Sequence, residues 1–189
     1  ADHATEARIV GLGEMGIGNT TSSAAITALM TDQPVETVTG HGTGIDEETR
    51  ATKVEVIERA IETTDPDPTE PIDVLRSVGG FEIAGLVGVT LAAASRRTPV
   101  VVDGVIAGAA ALLAAELEPR VADYLLGSHA SADPGHEAQL DSLGVDPCFD
   151  YGMRLGEGTG AAVAIGIYRA ACAAHTGMST LAEAGLDVE

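Results

Sequence analysis

The hydrophobic and polar positions along the chain alternate in blocks that predict a strand, a glycine-rich turn and a helix, repeated several times. The segment 7–13 combines a short apolar run with glycines and predicts a strand that enters a turn. The segment 98–104 contains three consecutive valines, which is typical of a buried parallel strand. The segment 121–131 predicts another strand followed by a loop.

Helical periodicity fills the intervals between these strands. One helix is predicted with Asn19 as its N-cap and Leu29 near its end, and a charged amphipathic helix is predicted from Asp46 to about Thr63. Further helices are predicted over 105–117 and 134–144, and a glycine turn followed by a helix is predicted in each of the segments 78–94 and 156–174. Loops are predicted over 40–46 and over 63–73, which holds three prolines and four acids.

This order of elements predicts an α/β fold with a Rossmann-like, mostly parallel sheet and helices on both faces. Ligands of such sheets bind beyond the carboxyl ends of the strands. The glycine turns at 11–18, 127–135 and 156–160 all fall there, so we expect them to converge on one pocket. We expect one domain over 1–175 and a short C-terminal tail over 176–189.

Composition and charge narrow this picture. Hydrophobic residues make up 45% of the 189 residues but aromatic residues only 3%, so the core must consist of Ala, Val, Leu and Ile. Twenty-nine acids against ten bases give a net charge of −19, which argues against binding nucleic acid or an anionic membrane. We expect the acidic excess to be a solvated surface adapted to high salt; the alternative is a binding face for a cationic partner.

The remaining bulk features predict a cytoplasmic protein. The uncharged segment 83–95 is too short for a membrane span, and 15–31 contains Asn, Thr and Ser. The sequence shows no basic-then-apolar leader after Ala1. Its two cysteines, Cys148 and Cys172, lie 24 positions apart and predict no disulfide framework.

The first glycine turn permits two interpretations. Residues 11–16 fit the dinucleotide fingerprint G-x-G-x-x-G, whose acidic companion about 20 residues on would be Glu36 in a poorly defined strand. In the overlapping frame, Gly16, Gly18 and Asn19 open a helix whose free N–H groups form an anion site. This second frame leaves Glu14 just upstream of the anion site.

A second carboxylate occurs in a similar setting. Glu157 lies between Gly156 and Gly158 at another helix entrance, as Glu14 lies between glycines at the first. Two such glutamates on adjacent loops indicate paired carboxylates, one accepting a proton and the other stabilising positive charge. The alternative for either one is a carboxylate that merely complements the helix dipole.

Five motifs carry a family resemblance in this order: GEMGIGNTT (13–21), GGFEIAGLVG (79–88), VVVDGVIAGAAALLA (100–114), SHASADPGH (128–136) and GMRLGEGTGAAVA (152–164). Together they resemble the second half of the nicotinate-nucleotide:dimethylbenzimidazole phosphoribosyltransferase family, the CobT family of cobamide biosynthesis. The resemblance implies transfer of the phosphoribosyl group of nicotinate mononucleotide to 5,6-dimethylbenzimidazole. It implies no metal and no cofactor.

The resemblance also implies roles for particular residues. Glu157 resembles the catalytic base, Glu14 its partner near the ribose and base, and Lys53, the only lysine of the chain, a phosphate contact. Further phosphate contacts are expected at Gly16, Ser131, Arg154 and Gly156, with Met15 and Leu155 lining the flat base. The alternative for Lys53 is a surface lysine paired with Glu48 or Glu58.

Other polar residues receive structural interpretations. The spacing of His129, Asp133 and His136 matches no metal-ligand pattern, so we expect these residues to build a loop. Asp103 ends a predicted strand and is expected either to orient loops or to serve as a turn residue.

The family's first half, which supplies other walls of the base pocket, has no counterpart in this sequence. Either the sequence is a fragment, or a partner chain supplies that half, or the base site has changed. The resemblance also implies a homodimer, since the family tends to form homodimers. The competing functions are a dinucleotide-binding module and a catalytically silent nucleotide-binding fragment.

Overall fold

The sheet consists of three short parallel strands in the order β1-β2-β3. In the computed structural model, which describes residues 8–42 and 44–185, these are β1 (Val10–Gly11), β2 (Val100–Val102) and β3 (Leu125–Gly127). Val10 lies opposite Val100, and Val101 lies opposite Leu126. The all-valine strand β2 is central and fully buried, as its composition predicted.

Helices connect the strands and cover the sheet. Their bounds are α1 (Asn19–Thr31), α2 (Val35–Val38), α3 (Glu47–Thr64), α4 (Pro71–Val78), α5 (Phe81–Ser95), α6 (Val105–Leu117), α7 (Pro134–Leu143) and α8 (Thr159–Gly177). A 3-10 helix, Pro119–Tyr124, precedes β3. Within the described part of the chain, none of these helices is long and apolar enough to cross a membrane.

The two faces of the sheet bury different helices. Because side chains alternate along a strand, Val100 and Val102 join the large core that α1, α5 and α6 build, whereas Val101 points to the opposite face. There it contacts Ala161 and Ala164 of α8. The predicted α/β fold, with a parallel sheet and helices on both faces, is therefore confirmed.

Small side chains let the helices lie close to the sheet. Four alanines of α6, together with Leu113, are completely buried.

Gln139 of α7 is also fully buried, and its Nε2 donates to Thr27 Oγ1 at 2.7 Å and to the Val105 carbonyl at 2.8 Å. This amide ties α7 to α1 and α6, so these three helices form one packed unit.

Several predicted boundaries were wrong. The first strand covers only Val10–Gly11 of the predicted 7–13, and Ala7 lies outside the described residues. The 3-10 helix occupies the beginning of the predicted strand 121–131. The predicted loop 63–73 ends where α4 begins at Pro71, because proline is favourable in the first turn of a helix. The division between a domain over 1–175 and a tail over 176–189 stays a prediction.

Candidate active site

A cavity of about 570 Å³ opens at the carboxyl ends of the three strands. Its walls are the loops that follow β1, β2 and β3, the entrance of α8, and the segment before α3. The three glycine turns thus converge on one cavity, as the chain order predicted. All predicted site residues lie on its wall: Glu14, Met15, Gly16, Gly18, Asn19, Lys53, Ser131, Arg154, Leu155, Gly156 and Glu157. Their chemical roles stay a prediction.

Direct backbone contact brings the two glutamate loops together. A Cβ placed on Gly13 would lie 2.7 Å from Gly158 Cα and 2.8 Å from Gly158 N. Only a residue without a side chain permits this approach. Gly13 and Gly158 therefore serve loop-to-loop packing, and their contact sets how closely the loops of Glu14 and Glu157 approach.

Glu157 occupies an unusual backbone conformation. Gly156, Glu157 and Gly158 have φ values of 77°, 58° and 76°, so three consecutive residues are left-handed. Glycine adopts this region freely, but a glutamate does so at a cost of roughly 1–2 kcal/mol. Such strain persists only where the surroundings impose it, and it clusters at functional sites. The loop turns back through the Thr159 N–H, which donates to the Gly156 carbonyl at 3.0 Å.

Glu14 faces the same cavity from the opposite loop. Its Oε1 lies 3.8 Å from the position of a Cβ on Gly156, and its Oε2 accepts a hydrogen bond from Asn19 Nδ2. Burial raises the pKa of Glu14, and the negative charges of Glu82 and Glu157 raise it further, whereas the Asn19 hydrogen bond lowers it. A carboxylate in this setting favours a positively charged ligand group beside it.

Asn19 is not the N-cap that the sequence predicted. The N-cap of α1 is Gly18, which has a φ of 81°. Asn19 is the first helical residue, and its side-chain amide donates a hydrogen bond to Glu14. Among the described residues, no side chain accepts from the first N–H groups of α1. By contrast, Asp133 accepts from an N–H at the start of α7, and Asp103 does so at α8. The α1 entrance is thus a helix terminus on this cavity with free donors for an anion, and the α6 entrance at Gly104 also lines the cavity without a side-chain cap.

Lys53 supplies positive charge beside that entrance. Its Nζ donates to Thr20 Oγ1 at 3.0 Å and to the Gly40 carbonyl at 3.3 Å, so it lies on the cavity wall and not against Glu48 or Glu58. Burial lowers the pKa of Lys53, and the charge of Asp133 opposes that shift. A half-buried lysine held by neutral oxygens is suited to a ligand phosphate.

Arg154 and Asp133 complete this end of the cavity. Arg154 Nη2 donates to the Gly42 carbonyl at 2.8 Å. Burial raises the pKa of Asp133, while the Gly135 N–H and the charges of Lys53 and Arg154 lower it. The Ser131 hydroxyl accepts from the Asp133 N–H at 3.2 Å, which places Ser131 in the same corner. The cavity is therefore cationic at one end and has two glutamates at the other.

Met15 and Leu155 form an apolar rim beside the two glutamates. They are 75% and 68% exposed although both are large hydrophobic residues. Ile17, which also lines the cavity, and Phe81, the first residue of α5, are almost fully exposed. An apolar rim next to carboxylates suits a flat aromatic ring, and the contact of Met15 and Leu155 with such a ring stays a prediction.

The histidines beneath the cavity serve the loop. The Ser131 N–H donates to His136 Nδ1 at 3.2 Å, so the neutral ring carries its proton on Nε2. Burial lowers the pKa of His136 to about 4, and the neighbouring His129 contributes. Within residues 8–42 and 44–185, no group of three His, Cys, Asp or Glu side chains is placed to hold a metal ion.

Glu36 does not supply the acid that a dinucleotide fingerprint needs. It lies in the short helix α2, with its carboxylate 3.6 Å from Arg50 Nη2 on the surface. The structure instead reveals Glu82, whose carboxylate lies 3.2 Å from the position of a Cβ on Gly16. The sequence contains a weaker signal for it, because Glu82 follows the glycine pair 79–80 at a helix entrance, with Phe81 between them.

Comparison with known proteins agrees with this geometry. A family model described as "Phosphoribosyltransferase" matches residues 1–186. The nicotinate-nucleotide–dimethylbenzimidazole phosphoribosyltransferase of Desulforudis audaxviator is 52% identical over 178 residues, which cover 94% of this chain and 50% of that protein. The protein of the same name from Geobacter sulfurreducens is 53% identical, with 94% and 51% covered.

The fold leads to the same group of proteins. The crystal structure of CobT from Thermus thermophilus matches with a TM-score of 0.93 and 40% identity, over 100% of this chain and 56% of that one. The chain belongs to the CobT family, the nicotinate-nucleotide–dimethylbenzimidazole phosphoribosyltransferases, as its motifs indicated. It spans about half the length of the curated relatives it matches.

Proposed function

We propose that the protein transfers the phosphoribosyl group of nicotinate mononucleotide to 5,6-dimethylbenzimidazole or a related base, releasing nicotinate. The observation that carries this proposal is the polarity of the cavity. Lys53 and Arg154 lie together beside Gly42, and Glu14 and Glu157 lie together at the glycine loops. The entrance of α1 lies between the two pairs, because Asn19 contacts Glu14 and Thr20 contacts Lys53. Nicotinate mononucleotide has matching polarity, with a phosphate at one end and a cationic pyridinium ring at the other.

The phosphate end fixes the ribose. The α1 entrance, Lys53 and Arg154 bind the phosphate, with Ser131, Gly16 and Gly156 as further contacts on the wall. Charge-assisted hydrogen bonds of this kind orient as well as bind. Holding the phosphate at this end directs the anomeric carbon toward the two glutamates. The reacting atoms are then oriented for bond breaking and bond making, which increases the rate of the reaction.

The glutamate end performs the chemistry. A ring nitrogen of the benzimidazole attacks the anomeric carbon, and the bond to the pyridinium nitrogen breaks, with inversion. The electron pair of that bond neutralises the departing ring, so no acid is needed. The attacking base loses its N–H proton to Glu157, while Glu14 stabilises the positive charge that develops on the ribose. No step requires a metal or a cofactor.

The apolar rim receives the attacking base. Met15 and Leu155 contact one face of the ring. We propose that residues of the family's other half supply the remaining walls, whether they belong to the same polypeptide or to a partner chain, and that the protein forms a homodimer. Val163 and Ile167 on the outer face of α8 are 42% and 37% exposed and offer part of the contact surface.

The proposal is tested by nicotinate release from nicotinate mononucleotide in the presence of dimethylbenzimidazole. Glu157→Gln should lower kcat by about 10²- to 10⁴-fold, the range for loss of a general base, and should leave mononucleotide binding intact. Glu58→Gln, which removes a carboxylate from the exposed surface of α3, is the matched control and should change neither quantity. Tighter binding of NAD than of the mononucleotide would favour a dinucleotide module, and binding without turnover in the wild type would contradict the proposed activity.

A further inference from the structure

Asp103 connects the central strand to the entrance of α8. It directly follows β2 and is only 2% exposed. Its Oδ1 accepts from the Ala161 N–H at 2.9 Å, and its Oδ2 accepts from the Gly158 N–H at 3.1 Å. One buried carboxylate therefore satisfies two donors of a segment more than 50 positions away in the chain.

These two bonds hold the C-terminal end of the left-handed loop and the first turn of α8. Glu157 immediately precedes the Gly158 N–H, and α8 begins directly after it. Because a glutamate leaves the left-handed region when it is free to do so, some interaction must hold it there. Hydrogen bonds to a buried carboxylate are strong enough, since bonds to a charged group contribute roughly 1.5–3 kcal/mol each.

The surrounding packing leaves the carboxylate little freedom. A Cβ on Gly160 would lie 2.8 Å from Asp103 Oδ1 and would also meet the imidazole of His129. On the other side, the Ser128 hydroxyl donates to the Asp103 carbonyl at 2.7 Å and contacts His129 Nδ1 at 2.9 Å. The side chain and the backbone of Asp103 are thus both fixed.

We propose that Asp103 is a positioning residue, which holds the backbone of residues 156–158 so that the Glu157 carboxylate faces the cavity opposite Glu14. This inference rests on the proposed function for its catalytic consequence. It assigns no contact between Asp103 and the substrate. The structural part of the inference, that Asp103 holds the loop, does not depend on which reaction the site performs.

The test is Asp103→Asn in the native full-length protein. Asparagine has the same shape but replaces one acceptor by an amide donor, so one of the two hydrogen bonds is lost. Amide hydrogen exchange of Gly158 and Ala161, followed by NMR, should accelerate by about 10- to 100-fold, the equivalent of one charged hydrogen bond. In the transferase assay, kcat should fall by a similar factor, while KM for nicotinate mononucleotide stays within about twofold because the phosphate end is untouched.

Two further variants keep the result interpretable. Thr90→Val removes a buried hydroxyl that bonds only within α5, so it reports general destabilisation and should leave kcat unchanged. Gly160→Ala keeps the carboxylate but pushes α8 away from it, and should reproduce the loss of kcat. Unchanged exchange at Gly158 and Ala161 in Asp103→Asn would overturn the proposal, as would a rise in KM with kcat preserved. If the wild type releases no nicotinate, the proposed function fails, and the exchange rates alone then decide whether Asp103 holds the loop.

Discussion

The contact between the two glutamate loops is tested by Gly13→Ala. The added methyl group would lie 2.7 Å from Gly158 Cα, 2.8 Å from Gly158 N and 3.1 Å from the Glu157 carbonyl carbon. Nonbonded carbon atoms prefer about 3.5–4.0 Å, so the loops must separate by about 1 Å. All three neighbours are backbone atoms, which cannot rotate away as a side chain would.

Both stability and activity should respond. Forcing a methyl group into such a contact costs about 1–3 kcal/mol, and each kcal/mol lowers Tm by roughly 2–4 °C in a domain of this size. Moving Glu157 by about 1 Å relative to Glu14 should lower kcat/KM by about 10²-fold. The measurements are thermal unfolding and nicotinate release at fixed substrate concentrations.

Gly85→Ala is the matched control. Gly85 lies on the exposed side of α5, where no described atom lies within 4 Å of the position of a Cβ. The same chemical change there should stabilise the protein by about 0.5–1 kcal/mol through helix propensity and leave kcat/KM unchanged. A Gly13→Ala protein with wild-type Tm and kcat/KM would refute the contact on which the spacing of the glutamates depends.

Two further predictions concern pH and salt. Burial lowers the pKa of His136 to about 4, whereas the value in the unfolded chain is near 6.5. Between these two pH values the unfolded state binds a proton that the folded state does not bind. The free energy of unfolding therefore falls as the pH drops from 6.5 to 4, by up to roughly 1.4 kcal/mol per pH unit. In urea titrations, His136→Asn, which retains an acceptor for the Ser131 N–H, should show a shallower loss between pH 6.5 and 4; an identical slope would contradict the assignment. The net charge of −19 predicts that Tm rises from low salt to molar KCl as repulsion is screened, and a constant Tm would argue against salt adaptation.

The order of elements was predictable because it depends on local patterns. The valine run of β2 and the glycine turns identify strands and their carboxyl ends without any tertiary information. Pro71 shows the limit of such patterns, since the same residue type marks a loop or the first turn of a helix. Asn19 shows it again: its type favours an N-cap, but the left-handed Gly18 takes that position and frees Asn19 to bind Glu14.

The cavity wall was predictable for a different reason. Parallel strands deliver their following loops to one edge, so residues after β1, β2 and β3 had to meet. The partners of Asp103 were not predictable from the sequence, because its two hydrogen bonds span 55 and 58 positions and depend on how α8 lies on the sheet. The hydrogen bonds of Lys53 to Thr20 and Gly40 were not predictable for the same reason, because they join residues 33 and 13 positions apart in the chain.

The confinement of positive charge to one end of the cavity has a kinetic consequence. A phosphate-bearing ligand must approach a molecule whose total charge is −19 before it reaches Lys53 and Arg154. At long range, the net negative charge of the molecule therefore repels the ligand. The attraction to Lys53 and Arg154 exceeds this repulsion only within a Debye length of the two side chains, ~10 Å at 0.1 M salt. Added salt shortens the range of the repulsion, so the association rate of the proposed substrate, nicotinate mononucleotide, should increase with ionic strength, the reverse of ordinary electrostatic steering.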